Sequence, residues 1–131
     1  MIKKIGFTLV LFMALLQGFY ALFAFLDPMS FATVRGTTLY STDDLDWVQI
    51  YASRTLFISL TIGVLLYLRN YKTLLFAAII GTVMPITDGW LAYQAGADTS
   101  VVAKHVATIV YLLITSLVLL NIVKKESVEQ V

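Results

Sequence analysis

Three residues of this sequence, Arg54, Asp88 and His105, are ionisable groups set inside long apolar runs, and any chemistry would be sought there first. An ionisable side chain at the centre of a membrane helix costs about 2.5 to 3.5 kcal/mol on insertion scales, so it persists where it serves a site or fixes a contact. A carboxylate beside an arginine stays ionised, and a histidine beside that carboxylate becomes a better base. Such a trio suits acid and base chemistry on a lipophilic small molecule, or the holding of a polar headgroup. His105, Asp88 and Arg54 are therefore the catalytic candidates, and a ligand-binding set would add Tyr51, Tyr111, Thr108 and Gln17. Plainer readings stand beside these. Arg54 and Asp88 would serve equally as a structural ion pair between two helices, His105 as a histidine bonded to its neighbour helix or facing the headgroups, and Gln17 and the buried threonines as interhelical glue.

Other chemistries are excluded or unsupported. The chain has no cysteine, which removes disulfides, thiolate metal sites and thiol catalysis, and its single histidine removes any multi-histidine metal cluster. No nucleotide or metal signature is present, so no cofactor is expected. Nine Lys plus Arg against eight Asp plus Glu leave no bias toward nucleic acid.

The elements that must position these residues are membrane helices. Of the 131 residues 60% are hydrophobic and 13% charged, against about 45 to 50% and 25% in soluble domains. A span needs about 20 apolar residues, and four runs qualify: 5–26, 48–68, 73–93 and 101–123. The first follows Lys3 and Lys4 as a signal peptide would, but its run exceeds a signal core of about 7 to 15 residues and reads as a span. The fold expected is an all-α, four-transmembrane-helix, antiparallel up-down bundle forming a single membrane domain. The short turn Arg69-Asn70-Tyr71-Lys72 makes the second and third spans antiparallel neighbours.

Basic residues flank the spans mainly on one side. Lys3, Lys4, Arg69, Lys72, Lys124 and Lys125 mark it, while Asp27, Asp43, Asp44, Asp46 and Asp98 mark the other, with Arg35 its only loop base. Positive residues stay in the cytoplasm, so both termini are expected there, as in a bacterial inner membrane protein, with Trp47 and Trp90 at the outer interface. In the first outer loop, Asp27-Pro28 is a helix start and Gly36 a stop, so this stretch reads either as a short interfacial helix or as an irregular loop.

At about 1.5 Å per residue, Arg54 lies roughly 9 Å inward from Val48, Asp88 at a similar depth, and His105 about 6 Å in, all in the outer leaflet. Their helix faces agree as well. Tyr51, Ile58 and Thr61 share the Arg54 side, and Ala77, Gly81, Pro85 and Ala92 share the Asp88 side, where small residues allow close packing. On the last span Lys104, His105, Thr108, Tyr111 and Thr115 form the most polar face of the chain, with Lys104 expected to snorkel outward. Pro85 cannot donate to the carbonyl of Gly81, which leaves polar backbone near Asp88.

The stretch from Ser53 to Leu113 carries Arg54, Gly63, a short basic turn, Pro85 before Asp88-Gly89, and His105; Pro28, Phe31, Ala32 and Gly36 lie upstream. In these features the chain resembles a family of small four-helix membrane proteins of bacteria and filamentous fungi, classed only as a domain of unknown function. The resemblance implies the four-helix fold and points to Arg54, Asp88 and His105, with no activity to carry over. The chain departs from the family pattern at Thr55, where an acidic residue often follows the arginine, so no second carboxylate stands beside Arg54.

Three functions follow as expectations. The first is binding of a lipid-like or small hydrophobic ligand at the outward-facing cluster, with the Pro28 helix as its cover. The second is a membrane-embedded isomerase- or cyclase-type acid-base enzyme, with His105 or Asp88 as base and Arg54 as anion holder. The third is a structural or assembly subunit, or a homo-oligomer, joined through an exposed stripe such as Ser59-x-x-x-Gly63. Ion transport is disfavoured because the inner halves of the spans carry no ionisable groups.

Overall fold

The apolar runs fold as helices because a backbone in hydrocarbon must satisfy its hydrogen bonds within each segment. The computed structural model describes residues 1–37, 39 and 41–129; residues 38 and 40, within the first outer loop, lie outside that description. The helices are α1 (Ile2–Leu26), α2 (Pro28–Arg35), α3 (Leu45–Tyr67), α4 (Tyr71–Gly81), α5 (Val83–Gln94) and α6 (Thr99–Glu129), with one 3-10 turn at Thr42–Asp44. Four spans are long and apolar enough to cross a membrane: α1, α3, the pair α4 and α5, and α6. The chain is thus an all-α, multi-pass membrane protein, and the observed spans exceed the expected ones by a few residues at most ends.

The loop between the first two spans does contain a helix, and its ends are built as the residues suggest. Asp27 caps α2 by accepting the Ser30 amide hydrogen at 3.1 Å, Pro28 opens the helix, and Gly36 closes it in the left-handed region at φ 84°. The Ser30 side chain, and then its amide, favour the charged carboxylate and hold Asp27 below its ordinary pKa.

The packing of the spans follows the small residues. Ala21 and Ala24 on α1 and Ala52 on α3 are fully buried, and the Ser59 hydroxyl of α3 donates to the Ala14 carbonyl of α1 at 2.7 Å. Ser59 also lies against Gly18, where an added Cβ would come within 3.0 Å of its Oγ. Of the Ser59-x-x-x-Gly63 stripe, therefore, Ser59 is spent inside the chain and Gly63 alone is left open, with nothing within 4 Å of an added Cβ. At the terminal end α1 meets α6: Lys3 pairs with Glu126 at 3.0 Å, and Gly6 lies under Ile122.

The expectation that the second and third spans pack as neighbours holds only beside their turn. Arg69 closes that turn at φ 53°, and Asn70 caps α4 by accepting from the Thr73 amide at 3.1 Å. Beyond it, α3 stays on α1 while α4 and α5 stay on α6, so that α3 scarcely touches α5. The third span breaks at Thr82, whose hydroxyl and amide both turn back to the Ile79 carbonyl. The break lies beside Gly81, whose carbonyl Pro85 cannot serve. Past it, α5 follows α6 closely: a Cβ added at Gly89 would sit 3.0 Å from the His105 Cβ.

Two packed ends result, with a gap between them. One core, at the terminal end, joins Val10, Leu66, Tyr71, Leu74, Leu75, Leu119 and Ile122; the other joins Ala24, Phe31 and Ala52 beneath α2.

Candidate functional site

Between the two cores, where α3 and α5 part, lies a cavity of about 540 Å³. This is within the usual range of about 300 to 1,000 Å³ for small-molecule sites. Its back wall is Met13, Leu16 and Gln17 of α1 with Leu112 and Thr115 of α6; its sides are α3 and the α4–α5 pair. The rims of the cleft, Phe57 and Thr61 on α3 and Ala77 and Ile80 on α4, are exposed, so the cavity opens sideways toward lipid. Most of the lining is aliphatic, and the polar groups gather at the end beneath α2.

That polar end is organised by a residue absent from the sequence-based candidates. Arg35, the last residue of α2, forms an ion pair with Asp88 of α5. Its guanidinium also lies over the rings of Tyr20, at 5.6 Å, and Tyr51, at 5.9 Å. Cation–π contacts of this kind gain strength when desolvated. Phe31, one helical turn before Arg35, is buried, and its ring packs against Tyr20, Phe23 and Tyr51. The spacing of Phe31 and Arg35, four residues apart on one helix face, was the available signal: a helix that buries Phe31 points Arg35 the same way.

The pairing of Arg54 with Asp88 is therefore corrected. Asp88 belongs to Arg35, and Arg54, on the far side of the cleft, makes no ion pair or hydrogen bond among the described residues. The physical reason is the divergence of α3 from α5, which puts cavity between two groups that share a depth. His105, by contrast, sits where the faces suggested. It is buried, lines the cavity, faces the Arg35 backbone and lies within the fields of both Arg35 and Asp88.

The remaining candidates divide. Tyr51, Thr108 and Gln17 line the cavity. The Thr108 hydroxyl donates to the Lys104 carbonyl at 2.9 Å, and the Gln17 amide donates to the Met13 sulfur at 3.6 Å. Tyr111 lies outside the lining. Its hydroxyl donates to the Leu9 carbonyl at 2.6 Å and its ring packs on Phe12, which ties α6 to α1.

No curated protein and no solved structure matches the chain. One family does match, over residues 7–119, a range that takes in the cavity, its polar end and each candidate above; by that match the chain belongs to the family described as Domain of unknown function (DUF4267).

Proposed function

We propose that this protein binds a lipid-like or small hydrophobic ligand in the cleft between α3 and the α4–α5 pair. The ligand enters from the bilayer through the lateral opening, and its polar part meets Arg54, His105 and the Arg35–Asp88 pair under the α2 cover. By the distribution of basic residues this end faces outward and both termini are cytoplasmic. The observation that carries the reading is the cavity itself: about 540 Å³, walled by aliphatic side chains, with its charged groups confined to one end. Binding sites for small molecules share this character, with a mostly apolar lining and a few convergent polar groups.

Native mass spectrometry of gently purified protein tests it. A small molecule should travel with the unmodified chain and be lost from Thr61→Trp, which fills the cleft from its exposed rim without touching the charged groups. Retained helical circular dichroism would show that the variant still folds. Unmodified protein that carries no adduct, even after incubation with mixed lipids, would overturn the proposal.

One observation favours a second reading, proton-transfer catalysis of the isomerase or cyclase type. His105 is buried at the cavity wall with Asp88 and Arg35 close by. Since Arg35 engages Asp88, the base in this reading is His105, with Arg54 holding an anion opposite. The two readings part on whether the bound molecule leaves unchanged.

A further inference from the structure

We infer that the molecule held in this cleft is an anionic amphiphile with a hydrocarbon tail, and that its acid group pairs with Arg54. The inference rests on the binding role proposed above and narrows it to a ligand class. Arg54 lies six residues inward from Val48 on α3, roughly 9 Å along the helix axis, which places it below the interface that Trp47 marks. A guanidinium below the interface is favoured where an anion lies beside it. None pairs with it among the described residues. Asp88, the carboxylate at the same level, is engaged by Arg35, and Asp46, the acidic residue of the first turn of α3, is two turns away along the helix. Arg54 makes neither an ion pair nor a hydrogen bond among the described residues, yet its side chain lines the cavity.

The shape of the space below Arg54 gives the rest of the ligand. From Arg54 to Leu65 the α3 wall runs about 16 Å, past Ile58 and Ile62, and the facing wall descends through Met84 and Ala78 to Leu74. Drawn out over that length, 540 Å³ is an elongated apolar slot with room for a hydrocarbon tail. An acid at the Arg54 level and an alkyl tail toward the turn satisfy both the unpaired cation and the apolar slot, and the sideways opening lets such a molecule arrive from the membrane.

The test uses the full chain in phospholipid-free nonionic detergent and three probes of equal tail length: palmitate, hexadecyl phosphate and hexadecanol. A charge-assisted contact to the guanidinium predicts that both acids bind about ten-fold or more tightly than the alcohol. Arg54→Gln should abolish that preference, weakening both acids far more than hexadecanol; Arg54→Lys should retain part of it. The preference should also persist in phosphatidylcholine nanodiscs. Its disappearance there would mean that bilayer phosphates neutralise Arg54, and would overturn the inference. Equal binding of acid and alcohol, or a preference that survives Arg54→Gln, would also overturn it while leaving the cleft as a binding site. Failure of all three probes to bind would overturn the inference, and the binding role falls with it only if the unmodified protein also carries no adduct in its native mass spectrum.

Discussion

Replacing Asp88 with alanine should destabilise the protein by about 3 kcal/mol, because it strands the Arg35 guanidinium between two aromatic rings with no counter-ion. The cost arises from the broken pair rather than from the pair's net worth. Arg35 and Asp88 are both largely shielded, with side-chain exposures of 21% and 33%, and ion pairs removed from water gain little over apolar replacements of the same shape. The combined variant Arg35→Met with Asp88→Leu should therefore recover most of the stability lost in Asp88→Ala. Unfolding in detergent, followed by the fluorescence of Trp90 two residues along α5, reads all the variants on one scale. A double variant no more stable than Asp88→Ala would show that the ion pair is not what holds α2 to α5.

Gly36→Val is expected to have an effect of similar size by an independent route. Gly36 ends α2 at φ 84°, a region that costs an L residue about 1 to 2 kcal/mol and a β-branched one more. An added Cβ there would lie 2.8 Å from the Val101 Cγ1, 3.0 Å from the Ala97 Cβ and 3.4 Å from the Ala92 Cβ. Two of those neighbours are alanines with no side chain to swing aside, and overpacking of this kind adds about 1 to 3 kcal/mol. The relief is for α2 to lift from the bundle, which also carries Arg35 away from Asp88. Limited proteolysis between α2 and α3 should then be faster than in the unmodified protein. Gly63→Val is the matched control: with nothing within 4 Å of its Cβ, it should change stability by no more than about 0.5 kcal/mol. If Gly36→Val protects α2 as well as the native glycine does, the cover is not seated as described.

Much of this architecture could be read from residue order. Four apolar runs gave four spans because hydrocarbon leaves a backbone few choices, and Asp27-Pro28 with Gly36 bounded α2 because caps are chemically specific. Depth and helix face also placed His105 and Asp88 together, since both quantities depend on a single helix. What could not be read was how the helices stand side by side. Arg54 and Asp88 share a level, yet which helix stands next to which is decided by Ala21, Ala24 and Ala52 at the α1–α3 contact and by Gly89 against His105, none of which reports on the Arg54–Asp88 separation. Pro85 announced a missing hydrogen bond, but not that the span would break at Thr82 and leave α3 standing apart from α5. Tyr111 shows the same limit, since a polar face of five residues has two flanks and only one looks into the cavity.

Both the site and its ligand depend on α3 and α5 standing apart in the bilayer. Because the chain has no cysteine of its own, an introduced pair reports on this without interference, since a disulfide needs Cα atoms within about 7 Å. In nanodiscs under mild oxidation, Ile58→Cys with Met84→Cys, across the cleft, should remain reduced. Ala14→Cys with Ser59→Cys, where α1 and α3 already touch, should oxidise readily. Rapid and complete oxidation of the cross-cleft pair would mean that the two helices close on each other, leaving no room for a ligand.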